Sequence, residues 1–184
     1  MNLTDSVALV TGAIRGLGAC LVTELLDAGA AKVYATSRAG TAAAGHDPRV
    51  RPLPLDVTDP ASVAAAAAVA GGRDRPAQQR RGPGLRHRSG RYTASKAAAH
   101  SITQALRAEL RPLGISVLGA YPGGIDTGML AGVEAPKAPP QQVASRIVAA
   151  LAAGQNLTFP DDASAAAGDV YLSDPVKLQE LLTG

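Results

Sequence analysis

Thr11-Gly12-Ala13-Ile14-Arg15-Gly16-Leu17-Gly18 is the stretch that decides the fold. Before it, Val7 to Val10 is a short apolar run that reads as a buried strand. After it, Leu17, Leu21, Leu25 and Leu26 recur at helical spacing, and Gly29 stands where such a helix would end. Glycines let a backbone turn sharply and approach a ligand closely. The amides at the start of the following helix, with its dipole behind them, favour a pyrophosphate. A glycine pattern acquires this meaning from its position between a strand and a helix, the context found here.

Working outward, Lys32 to Ser37 is β-branched and aromatic, and Val50 to Leu55 is apolar, so both predict strands. Asp59-Pro60 opens an alanine-rich helix, with Asp59 as its N-cap and Pro60 at its first position. Strand, helix, strand, strand, helix predicts an α/β protein with a mostly parallel sheet. Gly71 to Gly90 breaks the pattern, being rich in Gly, Pro, Gln and Arg with Leu85 as its single aliphatic residue. Tyr92 to Leu113 predicts a helix with an apolar stripe of Ala97, Ile102, Ala105, Leu106 and Leu110, ended by Gly114. Ile115 to Ala120 predicts a strand leading into Pro122-Gly123-Gly124, Pro139 to Ala153 a helix, Leu157 to Phe159 a last strand, and the tail from Asp161 short helices. The 184 residues are expected to form one domain, 1–184, interrupted at about 71–90.

With 46% hydrophobic residues the chain is neither fibrous nor disordered by composition. No apolar run is long enough to span a membrane, and Met1 to Ser6 has no features of a secretory signal. A single cysteine, Cys20, excludes an internal disulfide framework and suits a reducing cytoplasm, the expected location. The pI near 9.3 invites a nucleic-acid reading. Between Gly71 and Arg91, however, seven arginines face one acid, leaving +6 there and −3 on the rest of the chain. No aromatic residue accompanies those arginines for base stacking, so nucleic acid is not an expected partner.

Arg15 lies in the glycine turn, and Arg38 follows the second strand at the place where an acid would hold a ribose 2′-hydroxyl. Two arginines there suit a 2′-phosphate through charge-assisted bonds, which favours NADP(H) over NAD(H). Tyr92-Thr93-Ala94-Ser95-Lys96 sets Tyr92 and Lys96 at i, i+4 on one helix face. A nearby ammonium favours the phenolate, as a general acid/base tyrosine requires.

Thr-Gly-x-x-x-Gly-x-Gly, Leu55-Asp56-Val57, Tyr-x-x-x-Lys and Pro122-Gly123-Gly124-Ile125-Asp126-Thr127, in this order, resemble the short-chain dehydrogenase/reductase family. The resemblance covers Leu3 to about Ala70 and Arg91 to the end. It implies a Rossmann-type doubly wound parallel sheet and hydride transfer between NADP(H) and a carbonyl or alcohol, with no metal. It further implies that Gly12, Ile14, Arg15, Gly16 and Gly18 hold the pyrophosphate side, with Arg38 nearby, and that Asp56 and Val57 contact the adenine. Tyr92 would protonate the carbonyl oxygen, Lys96 would bind the nicotinamide ribose and tune Tyr92, and Pro122, Gly123, Ile125 and Thr127 would cradle the nicotinamide. Gly132 to Pro140 corresponds to the family's variable substrate-covering region.

The chain departs from the family between its two matching parts. Nothing matches the family's Asn-Asn-Ala-Gly strand, the long helix after it, or the strand ending in the catalytic serine. Ser89 lies too close to Tyr92 for that role. Two central strands and one helix are therefore expected to be missing. Back-translated with GC-rich codons, Gly71 to Gly82 reads in the second frame as Ala-Ala-Val-Thr-Val-Leu-Leu-Asn-Asn-Ala-Gly. The codons are chosen, not observed, and the match makes 71–90 an expected out-of-frame segment followed by a deletion. The coding DNA decides it: an overlapping frame without Asn-Asn-Ala-Gly removes the explanation.

Loss of those strands leaves the first strand with an open edge, unless the Ile115 strand moves over to pair with it. Family members form homodimers or homotetramers, and the missing helix belongs to their interface. An alternative to the active enzyme is thus a cofactor-binding remnant or a poorly folding product. Cys20 reads as a packing residue, and His46, His87 and His100 form no metal pattern with it. Asp59, Asp161 and Asp162 read as helix caps or surface charge, and Tyr121 as either pocket lining or packing.

Overall fold

The computed structural model describes residues 1–41, 47–70 and 90–173, excluding the side chains of 90–95, 171 and 172. The Gly71–Ser89 stretch, and with it the out-of-frame reading, lies outside the described residues. β1 (Val7–Thr11), α1 (Gly16–Asp27), β2 (Lys32–Ser37), β3 (Val50–Pro54) and α2 (Pro60–Ala70) follow the order expected from the sequence. The three strands form a parallel sheet in the order β1-β2-β3. Ala8 lies opposite Val33, and Val33 opposite Val50. β3 carries Pro52 and Pro54, which cannot donate to a ladder and so suit its place at an edge.

Alternation along the strands assigns the two faces of this sheet. Val10, Val33 and Val50 turn to one side, where they pack with Val22, Leu25 and Leu26 of α1 and with Val148 of α4 (Pro140–Ala152). Leu9 and Leu53 turn to the other, against Ala66 of α2. Val22, Val33 and Val143 are fully buried, which stabilises by about 1.5–3 kcal/mol for each such side chain. Asp59 Oδ1 accepts the Ala61 amide at 3.0 Å, so α2 starts on the cap that the Asp-Pro pair announces.

The second half departs from expectation in two places. The Ile115–Ala120 strand shortens to β4 (Gly119–Ala120), which pairs in parallel with β5 (Leu157–Thr158) in a separate two-stranded sheet. It does not move over to β1, whose outer edge has no strand beside it among the described residues. Extended chain becomes strand when a neighbour offers its hydrogen bonds, and here β5 offers them over two residues.

α3 (Gly90–Leu110) and a 3₁₀ turn (Arg111–Leu113) end at Gly114 as expected. Its apolar stripe, however, does not face a core: Ile102 is 53% and Leu106 41% exposed. The sheet's faces are already taken by α1 and α4 on one side and α2 on the other. α3 instead turns a polar side inward, where Arg107 Nε donates to the Val117 carbonyl at 3.1 Å. α5 (Asp162–Ser173) closes the described chain.

Candidate functional site

The glycine turn lies between the end of β1 and the start of α1. Gly12 and Gly16 have φ of 66° and 55°, which favour glycine. A Cβ on Gly18 would lie 2.3 Å from the Gly12 carbonyl oxygen, so the helix can start this close to the turn only with glycine there. Ala13 donates its amide to the Thr36 carbonyl at 3.0 Å, which fixes the turn against β2. Arg15 occupies the N-cap position of α1 in extended conformation, and no side chain caps the helix and no acid sits in its first turn. Such an N-terminus, with Arg15 and Ile14 exposed beside it, fits a pyrophosphate.

At the end of β2, Arg38 is exposed and lies near enough to Asp56 to act on its charge. Asp56 Oδ1 accepts from the Thr58 hydroxyl at 2.7 Å and the Thr58 amide at 2.9 Å. These bonds, the hydroxyl first, hold the Asp56 carboxyl below the usual carboxylate range, with a smaller contribution from Arg38. Val57 is exposed beside it. Arg38, Asp56 and Val57 thus follow the ends of β2 and β3 at one end of the β1-β2-β3 sheet.

The loop after β4 reaches the same end of the molecule. A Cβ on Gly16 would lie 3.1 Å from Thr127 Cγ2, so Thr127 rests on the glycine turn. Ile125 packs with Leu17, Val143 and Ala144. Asp126 donates its amide to Ala138 at 2.9 Å, and Ala138 returns one to Gly124 at 2.8 Å. The 128–137 segment is thereby closed into a loop at its base, and Lys137 Nζ binds the Leu130 carbonyl at 3.0 Å inside it.

Tyr121, just before this loop, does both things the sequence left open. Its ring lies 5.2 Å from that of His100 on α3 and 6.2 Å from that of Phe159. It also lines a cavity of about 350 Å³ with Pro122, Gly123, Phe159 and Ser164. Positions 92, 96 and 100 share one face of α3 by their spacing, and the contact at His100 turns that face toward the loop. Lys96 is exposed on it, and the Tyr92 side chain lies outside the described residues.

Asp161 has a role that its sequence context did not disclose. It is 2% exposed. Its Oδ1 accepts the Ser164 amide at 2.9 Å, so of the two readings, cap or surface charge, it is a cap of α5. Its Oδ2 also accepts the Ser164 hydroxyl at 2.6 Å and the Gly123 amide, thirty-eight residues away, at 2.8 Å. Burial pushes the carboxyl up, but the Ser164 hydroxyl, the two amides and the charge of Arg146 outweigh it and hold Asp161 below the usual range.

A carboxyl with a depressed native pKa stabilises fully above its unfolded pKa and loses that contribution as pH falls through the native one. Asp161→Ala, which leaves the Gly123 and Ser164 amides without their acceptor, is expected to lose about 1–3 kcal/mol of stability at neutral pH. The gap from the unaltered chain should narrow on acidification below about pH 4. Denaturant unfolding across that range measures it, and a gap independent of pH contradicts the assignment. The Arg146–Asp162 ion pair at 2.7 Å is largely exposed and adds little.

A parallel sheet with helices on both faces, and a glycine turn feeding the first helix, define a Rossmann-type α/β protein. Comparison with known proteins agrees. A family model described as short chain dehydrogenase matches residues 85–138, which include Tyr92, Lys96 and the 122–127 loop. A short-chain dehydrogenase from Burkholderia cenocepacia J2315, solved with NADP, superposes with a TM-score of 0.80 at 28% identity, covering 100% of both chains. One from Sphingobium yanoikuyae, solved with NADPH, shares the fold at a TM-score of 0.69 and 18% identity, covering 95% of each. An uncharacterised oxidoreductase of Staphylococcus aureus is 40% identical over 63 residues, 33% of this chain and 27% of that protein. The match thus spans about a quarter of the length of such curated relatives. The family-model match, the similar fold and the similar stretch of sequence all make short-chain dehydrogenases what this chain resembles.

Proposed function

We propose that this chain binds NADP(H) in preference to NAD(H) and transfers hydride between it and a carbonyl or secondary-alcohol substrate. The observation that carries the reading is the contact of Thr127 with Gly16, which joins the 122–127 loop to the glycine turn in one site. NADP and NADPH in two of the similar structures support it, while a 3-ketoacyl-(acyl-carrier-protein) reductase from Brucella melitensis, 19% identical, was solved with NADH. The glycine turn and the N-terminus of α1 would receive the pyrophosphate, Arg15 and Arg38 the 2′-phosphate, and Asp56 and Val57 the adenine. The nicotinamide, when bound, supplies or accepts the hydride. Tyr92 gives a proton to the carbonyl oxygen in reduction and takes it back in oxidation. Lys96 favours the phenolate and binds the ribose, while Pro122, Gly123, Ile125 and Thr127 hold the ring face.

Titration with NADPH and NADH, followed by fluorescence or thermal shift, tests the reading. Saturable binding with NADPH the tighter ligand supports it, and absence of saturation with both overturns it. Arg38→Ala should weaken NADPH by roughly 10–100-fold, the loss of one charge-assisted contact, and leave NADH within about threefold. Equal losses for the two cofactors would remove Arg38 from the 2′-phosphate site.

A second reading, a cofactor-binding chain without turnover, is favoured by the outward apolar stripe of α3. The helix that carries Tyr92 and Lys96 lacks an apolar seat among the described residues, and misplacement by about 1 Å can cost roughly a hundredfold in rate. Saturable NADPH binding with no turnover on a panel of aldehydes and ketones distinguishes this reading from the first.

A further inference from the structure

We propose that Asp161 is a positioning residue for the nicotinamide half of the site, acting through the Gly123 amide; the inference rests on the NADP(H) reading above. Helix capping accounts for the bonds between Asp161 and Ser164, which are local to the start of α5. It does not account for the bond from Gly123, which crosses thirty-eight residues to a side chain with 2% exposure. The approach is built into the sequence at Gly123 as well: a Cβ there would lie 3.0 Å from Asp161 Oδ1.

The loop is attached at several points along its length. Gly123 is held by Asp161, Gly124 and Asp126 by the backbone of Ala138, and Thr127 by the glycine turn. The last two attach the loop toward α1 and α4. The first attaches it toward α5, next to Tyr121, whose ring meets His100 on the α3 face that carries positions 92 and 96. Asp161 therefore sets the loop's beginning relative to the proposed acid/base pair, while the adenine half is built without it. A neutral Asn at 161 keeps the shape but presents one carbonyl oxygen and an amide group to three converging donors, so the Gly123 bond weakens.

Binding of NADPH and of 2′,5′-ADP, a ligand that reaches only the adenine half, tests this without turnover. Asp161→Asn is expected to weaken NADPH about tenfold and leave 2′,5′-ADP within about twofold. Ser164→Ala, which removes a cap donor but leaves the Gly123 bond, should leave the ratio of the two affinities unchanged. Gly123→Ala, which separates the partners without removing the charge, should shift the ratio as Asp161→Asn does and serves if the Asn variant does not fold. Equal weakening of both ligands by Asp161→Asn, no weakening of either, or the same ratio shift in Ser164→Ala overturns the inference while the cofactor reading stands. An unaltered chain that binds neither ligand overturns both.

Discussion

Gly18→Ala is expected to abolish saturable NADPH binding, the largest single effect on the cofactor site. The added Cβ would lie 2.3 Å from the Gly12 carbonyl oxygen and 3.2 Å from Ala13 Cα, both main-chain atoms that no side-chain rotation can remove. Either the first turn of α1 or the Gly12–Ala13 turn must then shift. Both carry the amides and the N-terminal dipole that the pyrophosphate would meet. A shift of this size should lower NADPH affinity at least about a hundredfold, since several charge-assisted bonds are lost together. It should also destabilise the fold by about 1–3 kcal/mol, the usual penalty for overpacking. Fluorescence titration reads the first effect and denaturant unfolding the second. Binding within a few-fold of the unaltered chain would show that the cofactor does not use this turn.

Tyr92→Phe is expected to lower turnover by about 10²–10⁴-fold, the usual contribution of a positioned general acid/base. NADPH affinity should change by less than about threefold, because the lost hydroxyl acts on the substrate oxygen rather than on the nucleotide. The two readouts together are diagnostic. Loss of turnover with retained binding assigns Tyr92 to chemistry, whereas parallel loss of both would mean that the residue supports the fold of α3. A chain with measurable turnover that Tyr92→Phe does not reduce would remove Tyr92 from the mechanism.

Much of the site was legible because its chemistry is local. The Gly12–Gly18 turn announces itself through glycine spacing beside an apolar run, and its φ values and close helix start follow from the absence of Cβ atoms. Asp59-Pro60 marks the beginning of α2 by the same kind of neighbouring-residue logic, confirmed by the Ala61 amide bond. The stripe on α3 was misleading for a physical reason. Periodicity shows which side of a helix could be buried, and burial requires a partner surface, here already covered by α1, α4 and α2. Asp161 reads from the sequence as a helix cap or surface charge; it is a buried cap, and its bond to Gly123 had no sequence signal.

The basic pI likewise resolves into one segment, since the arginines of Gly71–Arg91 outweigh an otherwise acidic chain. The amino-acid sequence by itself determined that charge distribution, the strand-turn-helix at the start, the starts and ends of the long helices, and the motifs shared with the family. These depend on residues within a few positions of one another, where backbone geometry and hydrogen-bonding capacity leave few choices. Tertiary structure alone decided that Thr127 rests on Gly16, that Asp161 holds Gly123, that β4 pairs with β5 over two residues, and that Ile102 and Leu106 face outward. Each of these depends on which distant surface is available to bury a side chain or accept a hydrogen bond, and that is set by the packing of the whole chain.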